Sequence, residues 1–202
     1  MSIINASPLI AAGDDGYRIE RSLRFNSPDS AYLNKTPASA GNRKTWTWSG
    51  WVKRSVVDSG RYMVFSADVS NSNNTIEFNN NSIDVYYYQG GYTWRVLTTA
   101  VYRDTSAWYH VIVAVDTTQA TASNRVRIYV NGSEVTAFST ASYPSQNADG
   151  AINNTVAHNI SGLSGSSGFY FNGYLTEVNF IDGQALTPSS FGQIESTTGV
   201  WS

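Results

Sequence analysis

Residues 45–53 read TWTWSGWVK, and the alternation in this stretch decides the fold. Trp46, Trp48, Gly50 and Val52 fall on one side of an extended chain, and Thr47, Ser49, Trp51 and Lys53 on the other. Successive side chains of a strand point to opposite faces, so one face of this segment is built for a core. The helical spacing of apolar residues, at i, i+3, i+4 and i+7, is hard to find anywhere in the 202 residues.

The same period of two recurs on either side. Residues 21–33 open with RSLRF, which sets Leu23 and Phe25 against Ser22 and Arg24. Short strands are predicted over residues 62–67 and 75–78, and a strand pair over 83–88 and 93–97, joined at Gln89-Gly90-Gly91. Residues 108–115 (WYHVIVAV) form a buried strand. Residues 125–130 (RVRIYV) alternate Val126, Ile128 and Val130 with Arg125, Arg127 and Tyr129, and residues 169–181 close the series. Asn131-Gly132 is the strongest hairpin signal, since both central positions of a type I′ turn need positive φ. Gly90-Gly91 marks a turn, and the stretch from Gly162 to Gly168 a loop. The Asn-rich residues 71–81 are expected to form a hairpin crossing two short strands. Only residues 187–194 (TPSSFGQI) look helical, with Thr187 as N-cap and Pro188 in the first turn. Many short strands separated by turn signals predict an all-β sandwich or barrel in a single domain.

Composition narrows the function. Charged residues are 14% of the chain and the net charge is -2. The solvated surface therefore rests on Asn, Ser, Thr, Gly and Tyr, which suits interfaces and sugar contacts. Nucleic acid is excluded as a partner, because binding it demands a basic stripe. There is no cysteine, hence no disulfide framework and no thiolate metal site. The first residues lack the basic n-region of a signal peptide, and no apolar run approaches a membrane helix, so membrane insertion is not expected.

Four ordered segments carry a resemblance: SLRFNSPDSAYL; WTWSGWVKR; WYHVIVAVDTT followed by RVRIYVNGSEV; and GYLTEVNFIDGQALTPSSF. Together they resemble the laminin-G-like, concanavalin A-like lectin family. That likeness implies an antiparallel two-sheet jelly roll over residues 21–195 with at most one short C-terminal helix. Residues 1–20 are then an attachment or oligomerisation arm, and 196–202 a tail. The opening through WSGWVKR and the ending FIDGQALTPSSFGQIESTTGVW are also similar to lectin-like modules in virion proteins of tailed bacteriophages, particularly cyanophages. This narrower resemblance implies a virion structural protein, in a tail fibre or capsid decoration. It would be assembled in the host cytoplasm, displayed on the virion surface beside other virion proteins, and homo-oligomeric, with a trimer favoured. Two continuations stay open: the first module of a longer fibre, or a short relative that ends here. The alternative function is a carbohydrate-binding module for host-surface glycans.

Four aromatic residues are candidates for ligand contact. Trp51 sits opposite Trp46 and Trp48 and either offers a flat face to a sugar ring or packs under a loop. Tyr87, Tyr92 and Trp94 belong to a cluster with Tyr86 and Tyr88 that serves either as a binding surface or as cross-strand packing. The resemblance implies calcium at a loop edge, which directs attention to Asp68, Asp116 and Asp182, with Asn131 as an amide donor. Each Asp also reads as a turn residue. His110 and His158, far apart in sequence, read as satisfied structural histidines. Glucanases of this fold carry neighbouring carboxylates on one strand. None of Glu20, Glu77, Glu134, Glu177 and Glu195 has a carboxylate two or four residues away, so no enzyme is expected. Glu177 is expected to pair with Arg21 or Arg24.

Overall fold

A computed structural model describes residues 21–69, 71–163 and 168–202. The expected arm, residues 1–20, lies outside the described residues. Thirteen strands are described: β1 Leu23–Phe25, β2 Leu33–Lys35, β3 Thr45–Arg54, β4 Arg61–Val69, β5 Ser72–Asn79, β6 Ser82–Gln89, β7 Tyr92–Thr98, β8 Tyr109–Asp116, β9 Val126–Val130, β10 Ser133–Glu134, β11 Phe138–Ser142, β12 Ala157–Ile160 and β13 Gly173–Asp182. They form two antiparallel sheets, a six-stranded one ordered β1-β13-β3-β8-β9-β10 and a seven-stranded one ordered β11-β7-β6-β5-β4-β12-β2. This is the expected jelly-roll sandwich.

Strand β3 lies third in the six-stranded sheet, between β13 and β8. Its inward residues Trp46, Trp48 and Val52 are buried in the main core. Trp46 stacks on Phe180 at 6.0 Å and Trp48 on Phe65 at 6.3 Å, while Phe65 and Phe180 stack at 5.8 Å. Ile76, Phe78, Ile83, Val85 and Val96 meet them from the seven-stranded sheet. Arg54 is buried at the end of β3, with its guanidinium 4.7 Å over Phe78 and Nη1 donating to the Tyr102 carbonyl at 2.6 Å.

The Asn-rich stretch differs from its expectation. Asn71 and the pair Asn80-Asn81 all have positive φ (65°, 46° and 71°), so they are two turns, and β5 runs unbroken between them. Asn tolerates the left-handed region, so the turns fall at the two ends of the stretch and not within it. The helical signal at residues 187–194 shortens to one 3₁₀ turn, Pro188–Ser190. Thr187 makes no cap to the backbone and faces Ser189 Oγ at 3.0 Å instead. Asn131 and Gly132, at φ 49° and 77°, close the β9–β10 turn as the dipeptide indicates.

Candidate functional site

The outer face of the seven-stranded sheet gathers the strongest concentration of charge and aromatic surface. Register sets its rows. Glu77 on β5 lies directly opposite Asp84 on β6, Thr75 opposite Tyr86, and Asn73 opposite Tyr88. On β7, Arg95 faces Tyr86. The register then shifts between Tyr87 and Tyr88, so Tyr87 pairs with Trp94 and Tyr88 with Tyr92. That bulge at Thr93 separates two residues that strict alternation would put on one face. Trp94 goes into the core with Tyr87, and Tyr92 joins Tyr86 and Tyr88 outside.

Two bidentate pairs organise this face. Arg61 donates Nε and Nη2 to Glu77 at 2.8 and 3.0 Å, and Nη2 also reaches the Tyr86 hydroxyl at 2.7 Å. Arg95 donates the same edge to Asp84, Nε to Oδ1 at 3.1 Å and Nη2 to Oδ2 at 2.6 Å. Both carboxylates have 0% side-chain exposure, while Arg61 keeps 32% and Arg95 21%. Burial pushes the Glu77 carboxyl up to about 7 against the opposing pull of Arg61. The Asp84 hydrogen bond raises the Arg95 pKa. Both guanidinia therefore stay charged.

Aromatic rings complete the surface. Arg61 lies 5.2 Å over the Phe169 ring and 5.6 Å over Tyr86, and Arg95 lies 4.6 Å over Tyr92. Tyr92 meets Tyr86 at 5.3 Å and Tyr88 at 5.5 Å, both nearly perpendicular. Tyr92 remains 46% exposed. The result is a rigid amphipathic surface in which each ring or fork is held by a neighbour.

The four aromatic candidates separate. Tyr92 belongs to this surface. Tyr87 and Trp94 are core residues between the sheets, so the expectation that they contact ligand is corrected by the Thr93 bulge and inward alternation. Trp51 lies half-buried on the opposite side of the molecule, its ring 4.9 Å from His110. His110 in turn stacks on Trp201 at 5.7 Å. Residues 196–202, read as a tail, fold back here: Gln193 and Ser202 exchange backbone hydrogen bonds at 2.8 and 2.9 Å, and Ile194 bridges Trp201. Trp51 thus packs within a covered face.

The acidic candidates are spread apart. Asp116 accepts from Thr118 N, Thr118 Oγ1 and Gln119 Nε2 in its own turn. Asp182 accepts from Asn42 N and Asn153 Nδ2. Asn131 Oδ1 accepts from His110 N at 2.8 Å. Asp68 is on β4, opposite Asn73, on the outer face of the other sheet. Among the described residues no three His, Cys, Asp or Glu side chains come together as metal ligands. Arg24 donates to Asn172 Oδ1 and the Gly173 carbonyl and lies 5.2 Å over Tyr174, so it is not committed to Glu177.

Spacing along single strands missed Arg61, Glu77, Asp84 and Arg95, because their pairing runs across strands. A signal was present all the same. Glu77 in TIEF and Asp84 in SIDVYY are acids inside otherwise apolar or aromatic strand segments, where an unpaired charge would be costly.

Solved structures show the same architecture. The native heptameric SAP-like pentraxin from Limulus polyphemus superposes with a TM-score of 0.57 at 15% identity, over 81% of this chain and 76% of that one. Domains LG4-5 of the mouse laminin alpha1 chain give 0.59 at 14% identity, over 86% and 45%. Domain 4 of AbnA, a GH43 extracellular arabinanase from Geobacillus stearothermophilus in complex with arabinotriose, gives 0.54 at 18%, over 73% and 65%. At these identities the likeness is one of fold. No curated protein sequence matches the chain. No helix among the described residues is long and apolar enough to cross a membrane. A family model matches residues 27–190, most of the described sandwich, and the chain belongs to the Concanavalin A-like lectin/glucanases superfamily.

Proposed function

We propose that this domain is a saccharide-binding module whose binding face is the outer surface of its seven-stranded sheet, and that it binds without cleaving. The observation that carries this is Tyr92. It is an exposed ring beside Tyr88, with the Arg95 guanidinium 4.6 Å over it. A tyrosine surface of this kind gives a sugar ring an apolar platform, and the arginine forks supply directed donors for its hydroxyls. The arabinotriose complex of the AbnA domain supports the reading, since that domain shares the fold and holds a sugar.

The carboxylates of this face support the non-catalytic part of the proposal. Hydrolysis of a glycosidic bond by the usual route needs two carboxyl groups reaching the scissile atoms. Glu77 and Asp84 are neighbours across β5 and β6, yet both are sealed beneath arginines. A glycan array read with the wild-type domain and with Tyr92→Ala tests the proposal. Binding to at least one saccharide class is expected, with a loss of about tenfold or more in the variant, consistent with ~1–3 kcal/mol for an aromatic contact. Reducing-end release from a bound polysaccharide would refute the non-catalytic part.

The placement we propose is the surface of a tailed-phage particle, in a tail fibre or capsid decoration. The support is the resemblance of the opening and closing segments to such modules. Residues 1–20 then act as an attachment arm, and a symmetric homo-oligomer, a trimer by the same resemblance, carries several copies of the face. Multiple copies would raise avidity without new contacts. Sedimentation of the full chain and of a chain lacking residues 1–16 checks the arm. An unchanged oligomeric state and unchanged particle binding would remove it from the proposal.

A further inference from the structure

We infer that the face around Tyr92 takes an uncharged, polyhydroxylated ligand, a neutral saccharide, with Glu77 and Asp84 as positioning residues that fix the arginines as hydrogen-bond donors. The inference rests on the saccharide-binding reading above and states its ligand class.

The charge balance is the first argument. On the described outer face, Arg61 and Arg95 stand against Glu77 and Asp84, and half-buried Asp68 on β4 shares the row of Asn73 and Tyr88. Each of the two guanidinium charges is thus matched by a buried carboxylate, on a chain whose net charge is -2. An anionic sugar approaching this surface meets no uncompensated positive charge, and neutralising an anion requires one. The arrangement of the forks is the second argument. Each guanidinium turns its Nε/Nη2 edge inward to a buried carboxylate. That leaves Nη1 unengaged among the described residues, on side chains that retain exposure. A fork held in this way binds hydroxyl oxygens without losing further rotamer freedom.

The carboxylates therefore have a task that a purely structural ion pair lacks, since they set the direction in which Nη1 points. The sequence fits this assignment. Replacing Glu77 and Asp84 by apolar residues of similar volume would give a more conventional strand interior, and buried ion pairs are not generally retained for stability.

Titration calorimetry against neutral oligosaccharides and their sulfated and uronic-acid counterparts, at about 50 and 500 mM salt, tests the inference (the range spans strong to weak screening). A neutral saccharide should bind with an affinity changing less than about twofold across that range. Arg95→Lys should weaken binding at least tenfold, because lysine keeps the charge but loses the fork. Its near-UV circular dichroism spectrum should match the wild type, which separates loss of binding from loss of fold. Asp84→Asn should weaken binding similarly, and Arg95→Lys carries the test if that variant is poorly folded. Binding restricted to sulfated or uronic-acid saccharides, falling steeply with salt, would overturn the neutral assignment and leave saccharide binding intact. Binding of neither class would overturn the saccharide-binding reading, and this inference with it.

Discussion

Trp201 donates its indole N–H to His110 Nδ1 at 2.8 Å, and an indole can only donate. His110 therefore carries its proton on Nε2, directed at Ser49 Oγ 2.9 Å away, and is neutral. Burial lowers its pKa to about 4. His158 behaves alike: Asn153 N–H donates to its Nε2 at 2.8 Å, so the proton sits on Nδ1 facing the Val156 carbonyl, and burial lowers its pKa too. An unfolded histidine takes up its proton near pH 6.5, whereas folded His110 does so only near 4, so the unfolded state gains protons first as pH falls. Stability due to His110 is complete above about pH 6.5 and is lost on descent toward pH 4, a loss approaching ~3 kcal/mol. The Glu77 carboxyl, raised by burial, acts in the opposite sense over the same range, so the His110 part is read as a difference: between pH 7 and 4.5 the urea midpoint of the wild type should drop relative to that of His110→Gln. No pH-dependent difference between the two proteins would contradict a neutral, buried His110. In the core, Trp48→Ala removes a fully buried ring stacked on Phe65. It should cost roughly 3–5 kcal/mol in denaturant titration.

Turns and edges separate what the sequence shows from what it conceals. The strands β3, β6, β8 and β13 announce themselves by alternation or by an apolar run, because each meets the core, whereas the asparagines of β5 leave only its residues 75–78 legible. The short strands β2, β11 and β12 are largely exposed or half-buried, carry no apolar alternation, and pass unseen. The bulge at Thr93 is invisible for another reason: alternation assumes uniform register, and a single extra residue reverses every inference beyond it. That is why Tyr92, Tyr87 and Trp94 fall together in sequence but not in space. The C-terminal hairpin is hidden too, since Ile194 and Val200 are exposed and only Trp201 packs inward. Two glycines probe that hairpin. Gly90 and Gly132 both have positive φ, but a Cβ at Gly90 meets nothing, whereas one at Gly132 collides with the Trp201 ring. Gly90→Ala should cost only the left-handed backbone penalty of about 1–2 kcal/mol. Gly132→Ala should cost measurably more in the same urea titration, with a change in Trp201 fluorescence. Equal costs would mean that the hairpin does not depend on the seat of Trp201.

At the scale of the whole molecule, the sandwich assigns its two outer faces different work. The six-stranded sheet is covered in part by its own C-terminal segment, where Phe191 packs on Ile112, Ala114 and Tyr129 and Trp51 lies in the aromatic stack. The seven-stranded sheet instead presents Arg61, Tyr88, Tyr92 and Arg95 above two sealed carboxylates. Sequence alone identifies the fold, through four ordered segments, and the tyrosine-rich hairpin as a place to look. It does not reveal which face is covered, because the covering residues are about ninety positions from Trp51's partner His110. Nor does it reveal the ion pairs, whose members come from strands β4 to β7. A crystal structure of the domain with a bound neutral oligosaccharide locates the binding face. A sugar ring should lie against Tyr92 and Tyr88 with hydroxyls on Arg95 or Arg61 Nη1. A sugar seated beside Trp51 or at the loops holding Asp116 and Asp182, with the Tyr92 face empty, would contradict it.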